Sequence, residues 1–185
     1  FSLGLFCIVQ FQYGLYTGKV GYILDRDRVY LGETFFTLLA NAVGAALTAG
    51  LVLLTRFAEK TPVQGMDLAL MERAQNAMQA KLGDSLLSSF ILAVFCGILM
   101  FTAVEGSRRC AEKKNFVGGI FVVVMPIMVF ILSGFNHCVA DFFTYFLAGC
   151  PNPMRALLYF PMVILGNMVG GVLIPFFKRF SRNPL

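Results

Sequence analysis

Four or five stretches of this chain, about 1–24, 31–56, 85–104, 116–149 and 156–177, stay mostly apolar for the roughly 20 residues that a helix needs to cross a bilayer. The chain is 185 residues long, 58% hydrophobic and 14% charged, with a mean hydropathy of +0.76, against about 25% charged residues in a soluble domain. Such a chain cannot stay solvated as open coil, which excludes disorder. The expectation is an all-α membrane protein forming one transmembrane domain over 1–185, with 57–84 as its one long connection. Two of the apolar runs are interrupted. The first carries Gln10, Gln12, Gly14, Thr17, Gly18 and Lys19, and the fourth carries Ser133, Gly134, Asn136, His137 and Asp141. Both read as broken helices.

Charge orients the spans. Linkers around 19–30, 105–115 and 178–185 hold Lys19, Arg26, Arg28, Arg108, Arg109, Lys113, Lys114, Lys178, Arg179 and Arg182, ten of the 15 cations, and alternating spans put these linkers on one side. By the positive-inside rule that side is the cytoplasm, which predicts a multi-pass protein of the cell's inner (plasma) membrane. Connection 57–84 is then extracytoplasmic, an amphipathic and partly helical segment on the outer surface or dipping in from it, with Met66, Leu70, Ala74, Ala77 and Met78 set against Asp67, Glu72, Arg73 and Gln75. The net charge of +5 and pI near 9.1 are topological; with no basic stripe interleaved with aromatics, no nucleic-acid partner is expected. Five cysteines (Cys7, Cys96, Cys110, Cys138, Cys150) form no CxxC pair, so they read as small buried hydrophobes, and no metal or other cofactor is expected.

Two segments repeat. Asn41-Ala-Val-Gly-Ala-Ala-Leu47 and Asn167-Met-Val-Gly-Gly-Val-Leu173 share N-x-V-G-x-x-L, 126 residues apart, and each follows a broken helix. Their spans run in opposite directions. Inverted repeats with interrupted helices are the pattern of channels and secondary transporters whose sites lie near the bilayer midplane. The second copy has three spans and the first has two, so the expected architecture is three plus three inverted spans with the first helix missing upstream of Phe1.

His137 is the only histidine and lies in the second break. An ionisable residue at membrane depth is costly and by default suggests function, and imidazole can donate a hydrogen bond or a proton to a small anion near neutral pH. The alternative is a histidine satisfied by a backbone carbonyl between helices. Thr17 sits in the first break beside Gly14 and Gly18, where irregular backbone survives only if buried in protein or lining a wet cavity; alternatively it caps a helix fragment. Lys81, just before the third span, can concentrate anions at an outer vestibule or remain solvated surface, with Asp84 one turn away to neutralise it. Asn41 and Asn167 are placed to bond the exposed backbone of the neighbouring break, and Gly166-x-x-x-Gly170 to let helices approach closely.

Together these motifs resemble the formate/nitrite transporter family. Phe1-Ser-Leu-Gly-Leu5 through Gly14-Leu-Tyr-Thr-Gly18 is similar to that family's second helix and its break, Ser133-Gly-Phe-Asn-His-Cys-Val-Ala-Asp141 to the broken fifth helix with its pore histidine, and Gly166-Asn-Met-Val-Gly170 to the sixth. The 16-residue spacing from Lys81 to Gly97 also suits the family's lysine and fourth helix. The resemblance implies an aquaporin-like helical bundle in a homopentamer, each protomer passing a small monovalent anion such as formate, nitrite or hydrosulfide. It further implies a central site at His137 and Thr17, with Lys81 outside it. An outer constriction at Phe1 and Phe130 and an inner one at Leu5, Leu15, Tyr16 and Met100 complete the pore. Gly97 stands where many members carry a pore-side Asn, and Asp141 where the motif usually has Asn. A neutral-solute channel shares this architecture, although Pro151-Asn-Pro153 lacks the paired Asn-Pro-Ala signature of water channels. An intramembrane enzyme would need more than His137 with Asp141 one turn away: no activated Ser or metal cluster accompanies them.

Overall fold

Short polar side chains start the helices of this chain. In the computed structural model, which describes residues 2–11, 13–58 and 69–182, Asp27 accepts the Tyr30 N–H at 3.0 Å and opens α3 (Arg28–Leu53). Ser85 does the same for α5 (Leu86–Glu112), and Asn115 for α6 (Phe116–Leu132). Such caps satisfy amide donors that a first helical turn otherwise leaves unpaired. The remaining elements are α1 (Ser2–Gln10), α2 (Tyr16–Lys19) with a 3-10 turn at Val20–Tyr22, α4 (Leu70–Gly83), α7 (Cys138–Leu147) and α8 (Pro153–Arg182). The described residues are otherwise loops and short turns.

Both expected breaks appear, each built differently. After α6, Gly134 takes φ +66° while its N–H bonds Ile131 O and the Phe135 N–H bonds Phe130 O, each at 3.2 Å. That is a left-handed helix stop, a conformation that glycine adopts without penalty. The chain then runs extended to His137 and restarts as α7. The first break shows no left-handed residue among the described ones and restarts at Leu15, whose backbone (φ −123°, ψ 125°) nearly matches that of His137 (φ −119°, ψ 111°).

The closest helix pair is α5 against α8. A Cβ on Gly166 would lie 2.6 Å from Phe90 O, and one on Gly170 would overlap Val94 O. Among the described residues, three helices, Arg28–Leu53, Leu86–Glu112 and Pro153–Arg179, are long and apolar enough to cross a membrane. Their outward faces keep large apolar side chains exposed, among them Phe35, Phe36, Leu47 and Leu51 on α3, where only Thr34, Leu38, Ala45 and Ala49 are buried. So wide an apolar surface needs lipid or protein against it. At one end of the bundle the Tyr22 hydroxyl donates to Glu105 (2.9 Å), which also holds Arg108 and Arg109, and Arg179 donates to Leu24 O.

In helix α4 of the connection, Ala74, Met78 and Leu82 are buried in the same cluster as Tyr145, Leu147 and Tyr159, whereas Ala77 is exposed. Its apolar stripe is aimed at protein, because α7 offers an amphipathic partner. Met66 and Asp67 lie outside the described residues. Of the cysteines, Cys96 and Cys138 are buried, but Cys150 is exposed in the turn that ends α7.

Candidate functional site

The two breaks bring Thr17 and His137 together. Thr17 Oγ1 lies 2.9 Å from His137 Nε2, and both residues are fully buried. His137 is also the cap of α7: its Nδ1 accepts the Ala140 N–H at 3.1 Å. A neutral imidazole has one donor and one acceptor nitrogen, so the cap bond leaves the hydrogen on Nε2, from which it is donated to the Thr17 oxygen. The threonine hydroxyl then keeps its own hydrogen for another acceptor.

Two asparagines hold the breaks by the same pattern. Asn41 Oδ1 accepts the Tyr16 N–H (2.9 Å) while its Nδ2 donates to Gly14 O (3.0 Å). Asn167 Oδ1 accepts the Cys138 N–H (2.9 Å) while its Nδ2 donates to Asn136 O (2.9 Å) and Ala93 O (2.8 Å). Each asparagine bridges the residues on either side of a restart, Leu15 in one half and His137 in the other. The halves are alike in backbone and unlike in chemistry, since an apolar side chain occupies the position equivalent to the imidazole.

Around this pair the walls are apolar. Leu5, Leu15, Met100 and Phe130 are buried in one cluster with Ile127 and Val123, and the Phe130 ring centroid is 5.6 Å from that of His137. Tyr16, next to Leu15, packs in the cluster of Tyr145, Leu147 and Tyr159, with its hydroxyl donating to Ile164 O at 3.3 Å. Phe1 lies outside the described residues. Asn136, buried beside the histidine, donates to Ser89 O (3.2 Å), while its Oδ1 and Ser89 Oγ are buried without a hydrogen-bond partner among the described residues. Buried polar atoms of this kind are where water or a ligand polar group is accommodated.

Lys81 is neither free nor paired with Asp84. Its Nζ lies 2.5 Å from Asp141 Oδ1 and 3.4 Å from Phe135 O in the second break, and the other carboxylate oxygen of Asp141 accepts the Tyr159 hydroxyl at 2.9 Å. Arg155 donates to Leu82 O at 2.9 Å and to Asp84 O, closing the end of α4 onto α8. Sequence reasoning missed Tyr159 and Arg155. A tyrosine two turns into an apolar span that follows a buried acid was the available signal for the first. Gly97 lies against α8: a Cβ there would overlap Asn167 O and come within 2.9 Å of Gly171 N. The position faces the α8 backbone, not the histidine, so its lack of a side chain serves helix packing.

Half-helices from two inverted repeats, meeting over a buried polar pair inside an apolar bundle, define a polytopic membrane protein of the broken-helix class. A sequence model of the formate/nitrite transporter family matches residues 1–178, and the chain belongs to that family. It is 27% identical to the formate channel FocA of Haemophilus influenzae over 150 residues, which cover 77% of this chain and 50% of that protein. Similarity to the formate channel BtFdhC of Bacillus thuringiensis reaches 31% over 106 residues, 56% of this chain and 40% of the other. The chain thus spans about half or less of the length of these curated relatives. A solved pentameric formate channel with formate bound shares the fold, with a TM-score of 0.73 at 23% identity, covering 98% of this chain and 79% of that one.

Proposed function

We propose that this protein conducts a small monovalent anion, formate or nitrite, through a pore in each protomer, with Thr17 and His137 as the central polar site. The observation that carries this reading is the fully buried Thr17–His137 bond at the junction of the two breaks. In an otherwise apolar passage, the Thr17 hydroxyl and the Nε2 hydrogen are the donors that replace water around the anion. With Nδ1 engaged by Ala140, the resting imidazole is neutral and acts as a hydrogen-bond donor. Passing a proton to the anion requires a second proton at Nδ1 first, which opens the cap of α7. A proton so transferred turns the anion into a neutral acid that escapes the Born cost of crossing hydrocarbon.

Leu5, Leu15, Tyr16 and Met100 form the inner apolar constriction on this reading and Phe130 lines the outer one; hydrophobic rings exclude hydrated ions by dewetting. Asn41 and Asn167 are structural. The protomers assemble as a homopentamer in the lipid of the plasma membrane, using the exposed apolar faces of α3, α5 and α8. The spans are about 1–24, 31–56, 85–104, 116–149 and 156–177, with 57–84 extracytoplasmic. Reconstituted into liposomes, the wild-type protein is expected to pass labelled formate, nitrite or hydrosulfide. His137→Ala should cut the initial rate roughly tenfold to a hundredfold, the loss of one buried hydrogen bond to a charged group. Equal flux in the variant, or flux of water and ammonia alone, would overturn this assignment.

A further inference from the structure

We propose that Asp141 is a built-in counter-ion which competes with the permeating anion for Lys81, so that Asp141 and Tyr159 set the anion affinity of the pore. The inference rests on the anion-channel reading above and adds what controls its entry step. Lys81, with a side chain 23% exposed, reaches the second break, where its Nζ also contacts Phe135 O two residues from His137. Asp141 is nearly fully buried, in the first turn of α7, and both of its oxygens are engaged: Oδ1 by Lys81 and Oδ2 by the Tyr159 hydroxyl. A carboxylate held this way is fixed and desolvated before any substrate arrives. An incoming carboxylate such as formate presents the same charge and the same acceptor oxygens to the ammonium. It must therefore share or displace Asp141, and the cost of doing so weakens binding. Tyr159 moderates the competition, because its hydroxyl takes part of the Asp141 charge away from Lys81.

A plain structural clamp of α4 onto α7 and α8 would look similar in coordinates and behave differently on mutation. Under the counter-ion model the two variants act in opposite directions. Asp141→Asn keeps the shape, frees the ammonium, and is expected to lower the apparent KM for formate about tenfold, in line with the strength of a charge-assisted hydrogen bond. Tyr159→Phe leaves the carboxylate to lean harder on Lys81 and is expected to raise KM about threefold, the share of one neutral hydrogen bond. Lys81→Met removes the prize, so Lys81→Met with Asp141→Asn should behave like Lys81→Met alone.

The test measures formate uptake into liposomes over a concentration series and, on the same purified assemblies in detergent, the formate concentration needed to raise the melting temperature. The second readout reports binding without transport. Opposite shifts for Asp141→Asn and Tyr159→Phe in the melting titration establish the counter-ion even where wild-type protein passes no anion, an outcome that sinks the channel reading alone. Shifts in the same direction, an unchanged formate dependence in Asp141→Asn, or no response to formate in any variant overturn the inference. Should Asp141→Asn not fold, Tyr159→Phe decides by itself: a lower or unchanged half-effect concentration contradicts the counter-ion, and a higher one with unaltered melting in the absence of formate supports it.

Discussion

Gly97→Asn is expected to yield no folded protein. A Cβ at Gly97 meets backbone: it would overlap Asn167 O and lie 2.9 Å from Gly171 N. Overpacking typically costs about 1–3 kcal/mol when side chains can yield. Here the whole of α8 must move away from α5, taking with it the three hydrogen bonds of Asn167. Losses of several kcal/mol stand against a total stability of roughly 5–15 kcal/mol. Size-exclusion chromatography and a thermal melt in mild detergent would check this; a monodisperse assembly melting like wild type would mean that α5 and α8 do not pack in this register.

Asn167→Ala should be far more damaging than Asn41→Ala, although both asparagines open the same N-x-V-G-x-x-L motif. Asn167 is fully buried and satisfies Cys138 N, Asn136 O and Ala93 O. Its removal takes away the partner of the Cys138 N–H and of Asn136 O, each worth about 1–3 kcal/mol if unsatisfied, whereas Ala93 O, inside α5, keeps its helical bond. In membranes the average measured value for an interhelical hydrogen bond is nearer 0.6 kcal/mol, so a loss of roughly 2–5 kcal/mol is expected. Asn41 is half-buried and makes two bonds, to Tyr16 N and Gly14 O, and its loss should cost about 1 kcal/mol. Paired melting curves decide between them, and equal destabilisation would contradict the asymmetry. Asn167→Ala should also lower flux beyond its effect on stability, because the freed Cys138 N–H is the first amide of the helix that His137 caps.

How much of this was legible in the chain varies with the range of the interaction. Both breaks could be read because glycine and polar residues inside an apolar run have a local physical consequence: Gly134 accepts the left-handed turn that ends α6, and irregular backbone at that depth demands partners. The repeat pointed to Asn41 and Asn167 for the same reason. It could not say which copy is tightly packed. Gly170 abuts the Val94 carbonyl, while a Cβ built on its counterpart Gly44 would meet nothing within 4 Å beyond its own helix among the described residues. The Lys81–Gly97 spacing suited a family pattern, yet spacing along one chain does not tell which neighbour a helix face meets.

By itself, then, the amino-acid order determined the helices, their interruptions and the apolar character that puts them in a membrane, since each follows from hydrophobicity and backbone preference within a turn or two. Tertiary structure alone decided the partners. Thr17 finds His137 across 120 residues, Lys81 finds Asp141 across 60, and Tyr159 finds the same carboxylate from another helix. These pairings depend on how α4, α5, α7 and α8 dock, and docking is set by shape along entire faces, at glycines whose role emerges only when the opposing backbone is in place.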